Sequence, residues 1–190
     1  MNNRQPPAQS LLASLPDSRG ADAREPAPVH LWHPDFSGGL DMHIARDGTW
    51  YYQDGPITRV SLAQLFSGIL RLDEDGRYYL VTPVERWAIT VDDVPFVASR
   101  LEVNGQAKDQ QLIFYTTLEH KVVAGQEHPL SVEIDPQTQE PSPYVLLRSN
   151  LKALIHRNVF YQLVELAVEY PVNGIERVGV WSSGVFFPID

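Results

Sequence analysis

Short apolar runs separated by polar turn residues make up most of the chain, and most of the runs repeat with a period of two. Met42-His43-Ile44-Ala45-Arg46, Asp47-Gly48 and Thr49-Trp50-Tyr51-Tyr52 read together as a hairpin. Asp-Gly supplies the positive φ values of a type I′ turn, so a two-residue loop pairs Arg46 with Thr49 and Ile44 with Tyr51. Asp54-Gly55-Pro56 is a second turn. Ser61 and Gln64 have the spacing of a capping box, and Leu62, Leu65, Phe66, Ile69 and Leu70 share one helical face. A short helix ending near Leu70 is predicted.

Strand patterns follow. Asp75-Gly76 turns the chain into Tyr78-Tyr79-Leu80-Val81-Thr82, and Trp87, Ile89 and Val91 alternate with Arg86, Ala88 and Thr90. Further strands are expected at Val97–Val103, Leu112–Thr116, Leu130–Ile134 and Tyr144–Arg148, with a short apolar centre at Val122-Val123. Leu151, Leu154, Ile155, Val159, Leu163, Leu166 and Ala167 form an apolar stripe behind a Ser149 or Asn150 cap. They predict one long helix near 150–169, stopped by Pro171. Val178–Pro188 reads as one or two buried strands. Residues 1–28, with five prolines and no sustained period, read as a disordered leader whose Leu11–Leu15 patch is too short for a secretory signal.

Composition narrows the classes. The chain has 190 residues, 43% of them hydrophobic, and a net charge of −9 from 15 Lys and Arg against 24 Asp and Glu. That balance disfavours nucleic acid, whose binders carry a basic stripe against the phosphates. Without cysteine there are no disulfides, thiolate metal sites or cysteine nucleophile. No apolar run reaches the roughly 18–20 residues that span a bilayer.

Two stretches resemble each other. Arg59-x-Ser61-Leu62-x-x-Leu65-Phe66 matches Arg148-x-Asn150-Leu151-x-x-Leu154-Ile155, and Gly76-x-Tyr78-Tyr79 parallels Gly184-x-Phe186-Phe187. The run Gly39–Tyr52, with Gly55-Pro56-Ile57-x-Arg59, Tyr79–Glu85, Val91–Phe96 and Gly179–Pro188, resembles the bacterial domain of unknown function 1285 family over roughly residues 30–190. The resemblance implies a duplicated α+β fold whose C-terminal part is superficially like a pleckstrin homology domain. It implies no assigned enzymatic activity, and a proposed role in signal transduction through a ligand or partner bound near the domain interface.

Chemistry-bearing residues are few. His30, His33 and His43 lie near Asp35 and Asp41, but proline follows His33 and nothing holds the pair, so no metal site is assigned. Asp73-Glu74-Asp75-Gly76 lacks the later ligands of a calcium loop and reads as a hairpin turn. Glu85 sits at the Thr82-Pro83 corner, where Arg59 is a partner for it or for an anionic ligand. Ser182 and Ser183 lack the G-x-S-x-G frame, and no Walker loop, G-x-G-x-x-G or H-E-x-x-H is present.

The reading is therefore a strand-rich α+β fold with a duplicated strand–helix motif. Its subdomains are expected at 29–95 and 96–190, behind the leader 1–28. The expected function is a non-enzymatic ligand- or protein-binding module of the bacterial cytoplasm, with signal transduction as the role the resemblance implies and a site between the subdomains. The ligand-binding candidates are Arg59, Glu85, Arg148, Trp50 and Trp181, with no cofactor and no catalytic residue assigned. The competing reading is a hydrolase or transferase using Glu85 and neighbouring polar groups. Whether the partner is a small molecule or a protein, and the oligomeric state, are left open.

Overall fold

The computed structural model describes Leu11 and residues 26–190. Apart from Leu11, which is helical and buried, and residues 26–28, the expected leader lies outside the described residues. The chain divides into two compact units, one ending at Asp93 and the other beginning at Val94.

The first unit opens with a short 3₁₀ turn, Val29–Leu31, and contains a six-stranded sheet. Its strands are β1 (Phe36–Ile44), β2 (Trp50–Tyr52), β3 (Gly55–Pro56), β4 (Leu70–Leu72), β5 (Tyr78–Val81) and β6 (Arg86–Val91), in the order β3-β2-β1-β6-β5-β4. Two antiparallel meanders are joined down the middle by a parallel pair, β1 against β6. Helix α1 (Val60–Gly68) makes the connection that a parallel pair requires. It buries Ala63 and Phe66, and Phe66 stacks on Trp50 with ring centroids 6.5 Å apart and planes 13° from parallel.

The first hairpin is one residue longer in its loop than the Asp-Gly pattern predicts. Ala45 and Thr49 close a three-residue loop, Ile44 pairs with Trp50 instead of Tyr51, and within the loop only Gly48 has a positive φ, 85°. Asp47 explains the difference, because its Oδ1 accepts the Thr49 N–H at 2.8 Å and stabilises a turn of the ordinary hand before the glycine. The β4–β5 hairpin repeats the device, with Asp73 closing on Arg77, Asp75 Oδ1 accepting the Arg77 N–H at 3.0 Å and Gly76 at φ 76°. The one-residue change puts Trp50 beside Ile44 in the core. At the start of α1, Arg59 occupies the cap position without a side-chain cap bond, so the Ser61–Gln64 capping box does not form. Leu70 belongs to β4 instead of the helix.

The second unit contains another six-stranded sheet: β7 (Phe96–Asn104), β8 (Gln111–Thr116), β9 (Lys121–Val123), β10 (Leu130–Ile134), β11 (Pro141–Arg148) and β12 (Leu151–Ile155). Its order, β10-β11-β12-β7-β8-β9, read from the other edge, is that of the first sheet, again with the first and last strands parallel at the centre. Helix α2 (Arg157–Glu165) follows, and β13 (Val168–Val172), β14 (Ile175–Ser182) and β15 (Val185–Pro188) form a three-stranded sheet.

The predicted long helix over 150–169 is thus a strand and a short helix. Leu151, Ala153 and Ile155 are buried while Lys152 and Leu154 are less so, a period of two that pairs β12 with both β11 and β7. His156 caps α2 by accepting the Asn158 N–H, and Val159 and Leu163, four residues apart, face inward. The strand–helix repeat fails at the same place. Arg148 ends a strand, Ser149 turns the chain at φ 47° and Leu151 opens the next strand, whereas the Arg59 copy enters a helix. The duplication visible in the structure is that of the sheet order.

Polar contacts bind the small sheet to the larger one within this unit. Buried Ser182 Oγ accepts the Leu112 N–H at 2.9 Å and donates to the Ala124 carbonyl at 2.7 Å. Gly179 lies under Phe186, so an added Cβ would meet the Phe187 carbonyl oxygen and come within 2.6 Å of the Phe186 ring. Gly179→Ala is expected to cost about 3 kcal/mol. Urea unfolding checks this as a lower midpoint with an unchanged slope; a midpoint within error of the unsubstituted chain would contradict the packing described.

Candidate functional site

Arg71, on edge strand β4, organises one side of the first unit. Its Nε and Nη2 donate to the two Asp73 oxygens at 2.5 and 3.1 Å, and its Nη1 donates to the carbonyls of Val29 and Trp32 at 2.9 and 2.7 Å. Arg86 adds a third bond to Asp73 at 3.1 Å and lies 5.0 Å from the centre of the Tyr79 ring. Tyr79 donates to Asp75 at 2.6 Å, a bond that holds the Asp75 carboxyl below its usual range and pushes the phenol up. His30, His33 and Glu74 line an open cavity of about 480 Å³ together with Arg71, Leu72, Asp73, Asp75 and Arg86. Its two arginines already serve Asp73, so the cavity offers no uncommitted bidentate anion clamp.

A larger groove, about 690 Å³, lies along the same sheet. Leu40, Leu72, Tyr78, Ile89 and Val91 give it an apolar lining, Gly39 and Ala88 pair side by side across β1 and β6, and Arg77 and Asp93 bring one charge of each sign. Asp93 also pairs with Arg46 at 3.4 Å. Burial, with the Asp93 charge second, raises the Tyr78 pKa, so the phenol keeps its proton as a hydrogen-bond donor. An added Cβ at Gly39 would have no atom within 4 Å. A third concavity, about 160 Å³, holds Asp41, Tyr51, Gln53, Asp54 and His43, whose Nε2 bonds Asp92 at 2.8 Å. No three or more His, Asp or Glu side chains are placed to hold a metal ion among the described residues.

The residues singled out in the sequence fall at separate places. Trp50 is 2% exposed and stacked on Phe66, so it is core and presents no ligand surface; its indole N–H has no hydrogen-bond partner among the described residues. Arg59 is exposed at the cap of α1. Glu85 is half-buried at the proline corner, where Thr82 Oγ1 accepts its N–H at 3.1 Å and its carbonyl accepts the Thr82 N–H at 2.9 Å. The ion pairs described in this unit join Arg46 to Asp93, His43 to Asp92, and Arg71 and Arg86 to Asp73.

In the second unit Arg148 packs its guanidinium 5.2 Å from the centre of the Phe96 ring, which also meets the His120 imidazole at right angles with centroids 5.3 Å apart. Burial pulls the Arg148 guanidinium down to about 10, still charged at neutral pH. Burial first, and the Arg148 charge second, push His120 down to about 4. Trp181 is half-buried in a cluster with Tyr170 and Phe186.

The groove residues carried no motif. Their signal was the alternation already read as strands at Tyr78–Val81 and Trp87–Val91. What marks a groove is the pairing of Gly39 with Ala88, which only the register reveals. Arg71 was not singled out in the sequence, where a helix was expected to end near Leu70, and its reach to the Val29 and Trp32 carbonyls spans about 40 residues.

An N-terminal unit built as 3-2-1-6-5-4 and a C-terminal unit repeating that order define a strand-rich protein of two related units. The chain belongs to the DUF1285 family: residues 27–94 match its N-terminal domain of unknown function and residues 95–189 its C-terminal domain. It is similar to the crystal structure of a DUF1285 family protein from Silicibacter pomeroyi DSS-3, with 50% identity and a TM-score of 0.81 over 94% of this chain and 93% of that one. The fold is also shared with a DUF1285 family protein from Shewanella baltica OS155, at 22% identity and a TM-score of 0.51 over 65% of this chain and 89% of that one. No curated protein matches the chain. No helix among the described residues is long and apolar enough to cross a membrane.

The His120 environment has a consequence for stability. Unfolded, this imidazole binds its proton near 6.5; folded, it does so only near 4. Between those values the unfolded chain holds more protons, so the stability contributed by neutral, buried His120 is complete above about pH 6.5 and is lost as pH falls toward 4. His120→Gln is expected to flatten this part of the profile. Urea midpoints compared at about pH 7 and about pH 5 check it, and an equal drop in both proteins would remove His120 as the cause.

Proposed function

We propose that this protein is a non-enzymatic binding module whose ligand lies in the groove of the first unit. The observation that carries the reading is the groove itself. About 690 Å³ lies within the range of roughly 300–1,000 Å³ typical of small-molecule sites, and an apolar lining with a few polar groups is the usual composition of such sites. The lining suits a small amphipathic molecule, with its apolar body against Leu40, Leu72, Ile89 and Val91 and its polar end at Arg77, Asp93 and the Tyr78 hydroxyl.

A role in the bacterial cytoplasm, in signal transduction, is part of the same proposal. It is supported by the resemblance and by the bacterial relatives. The likeness of the second unit to a pleckstrin homology domain is likewise proposed, on a strand-rich unit with one amphipathic helix. Arg59, Glu85, Arg148 and Trp181 are not among the residues that line this groove.

A thermal-shift screen of the full chain against acyl carriers, nucleotides, amphipathic metabolites and peptides tests the reading. A ligand at about 100 times its Kd adds about 2.7 kcal/mol, which for a chain of this size is a rise of about 5–10 °C. Gly39→Leu puts bulk into the groove at a position where an added Cβ has no atom within 4 Å, and is expected to leave the unliganded melting temperature nearly unchanged while abolishing the shift. A hit that survives Gly39→Leu places the ligand elsewhere. A hit that is consumed, seen as a changed mass after incubation, favours the hydrolase or transferase reading with Glu85.

A further inference from the structure

The turn after β7 and the β14–β15 hairpin are joined by main-chain and amide contacts. Gln110 Nε2 donates to the Trp181 carbonyl at 2.8 Å, the Ser183 N–H donates to the Gln110 carbonyl at 2.8 Å, and the Gly184 N–H donates to the Lys108 carbonyl at 3.2 Å. These contacts hold the short turn Ala107–Asp109 beside three aromatic rings of the small sheet. Tyr170 and Trp181 meet almost at right angles, with centroids 4.8 Å apart and planes at 76°. Phe186 backs both, 5.1 Å from Tyr170 and 5.3 Å from Trp181.

The Lys108 ammonium occupies the corner, 5.0 Å from the Tyr170 centroid and 4.9 Å from that of Trp181. Both distances are inside the range of about 6 Å over which a ring face attracts a cation. Lys108 is exposed, and its ammonium has no ion pair among the described residues. The two ring faces are therefore its partners, and they satisfy its charge but none of its three N–H donors.

That mismatch identifies a better occupant. A primary ammonium held against rings gives up hydration for which the rings offer no acceptor. A quaternary ammonium has no N–H to satisfy, is weakly hydrated, and presents methyl groups that pack on the ring faces. Small aromatic corners of this kind are how quaternary ammonium ligands are recognised. The chain's net charge of −9 adds a long-range attraction for cations. We propose that the Tyr170–Trp181–Phe186 corner binds a small quaternary ammonium group, and that Lys108 is a resident stand-in that swings out when the ligand enters. The corner lies in the second unit and is independent of the groove proposed for the first.

The test is a titration of the full chain with choline, read from the indole N–H resonance of Trp181, which is identified by its loss in Trp181→Phe. Removing the stand-in with Lys108→Ala keeps the backbone bond to Gly184 and is expected to tighten choline binding about 5- to 30-fold, the weight of two exposed cation–ring contacts. Tyr170→Leu in the Lys108→Ala background keeps apolar bulk and is expected to weaken it at least about 5-fold. The uncharged carbon isostere of choline is expected to move the resonance far less. The proposal is overturned by no response of Lys108→Ala to choline at about 0.1 M, a concentration that saturates millimolar sites, or by equal responses to choline and its isostere. Should Tyr170→Leu prove unfolded by circular dichroism, the isostere comparison in Lys108→Ala decides alone.

Discussion

The parallel pairing of first and last strands, β1 with β6 and β7 with β12, is the constraint on which each unit depends. An antiparallel meander forms from neighbours in sequence and needs only tight turns. Joining two meanders through a parallel pair brings together strands separated by the whole of a unit, and the loop-closure cost must be offset by burial. The second pair is apolar, with Phe96, Val97 and Ala98 beside Ala153, Leu154 and Ile155; in the first, buried Ile44 lies beside Val91, while Phe36 and Thr90 are exposed. Everything set along the sheets takes its place from that central register, including the Gly39–Ala88 contact that opens the groove.

Ion pairs and cation–ring contacts occur in both units: Arg86 lies on Tyr79 in the first, and Arg100, Lys152 and Arg177 pair with Glu102, Glu133 and Asp190 in the second. In the first, Asp73 gathers Arg71 and Arg86, and Arg71 reaches on to the carbonyls of Val29 and Trp32. A guanidinium has five donors in a fixed fork, so one side chain can serve a carboxylate and two carbonyls together. In the second unit cations lie on rings: Arg148 on Phe96, Arg100 on Tyr115 and Lys108 on Tyr170 and Trp181. Arg148 and His120 both lose charge stability through burial beside Phe96, and this local desolvation marks a packed corner of the fold.

Much of the strand content was legible, because alternation of apolar and polar residues is imposed by the pleat itself. β6, β8, β10 and β11 lie where the period of two places them. The largest misreading has a non-local cause. Leu151, Leu154 and Ile155 satisfy a helical face and, with Ala153, a strand face, and local pattern cannot choose between them. The choice is made by β7, more than 45 residues away, which offers β12 a parallel partner. The first hairpin slips by one residue for a local reason that the Asp-Gly signal conceals, since Asp47 can cap the following N–H as well as enter a left-handed turn. The candidate sites were less legible. Trp50 reads as a possible surface until the one-residue change turns it inward, and Lys108 carries no signal at all, because its rings come from β13, β14 and β15.

The sequence by itself determined the two-part organisation, the strand-rich class, the acidic surface and the family, since each rests on local period, composition or contiguous motifs. Tertiary structure alone decided the parallel central pairs, the fate of residues 151–155, the groove and the aromatic corner. Each of those depends on which distant strands lie side by side, and a strand's pairing energy resides in its partner's side chains as much as in its own.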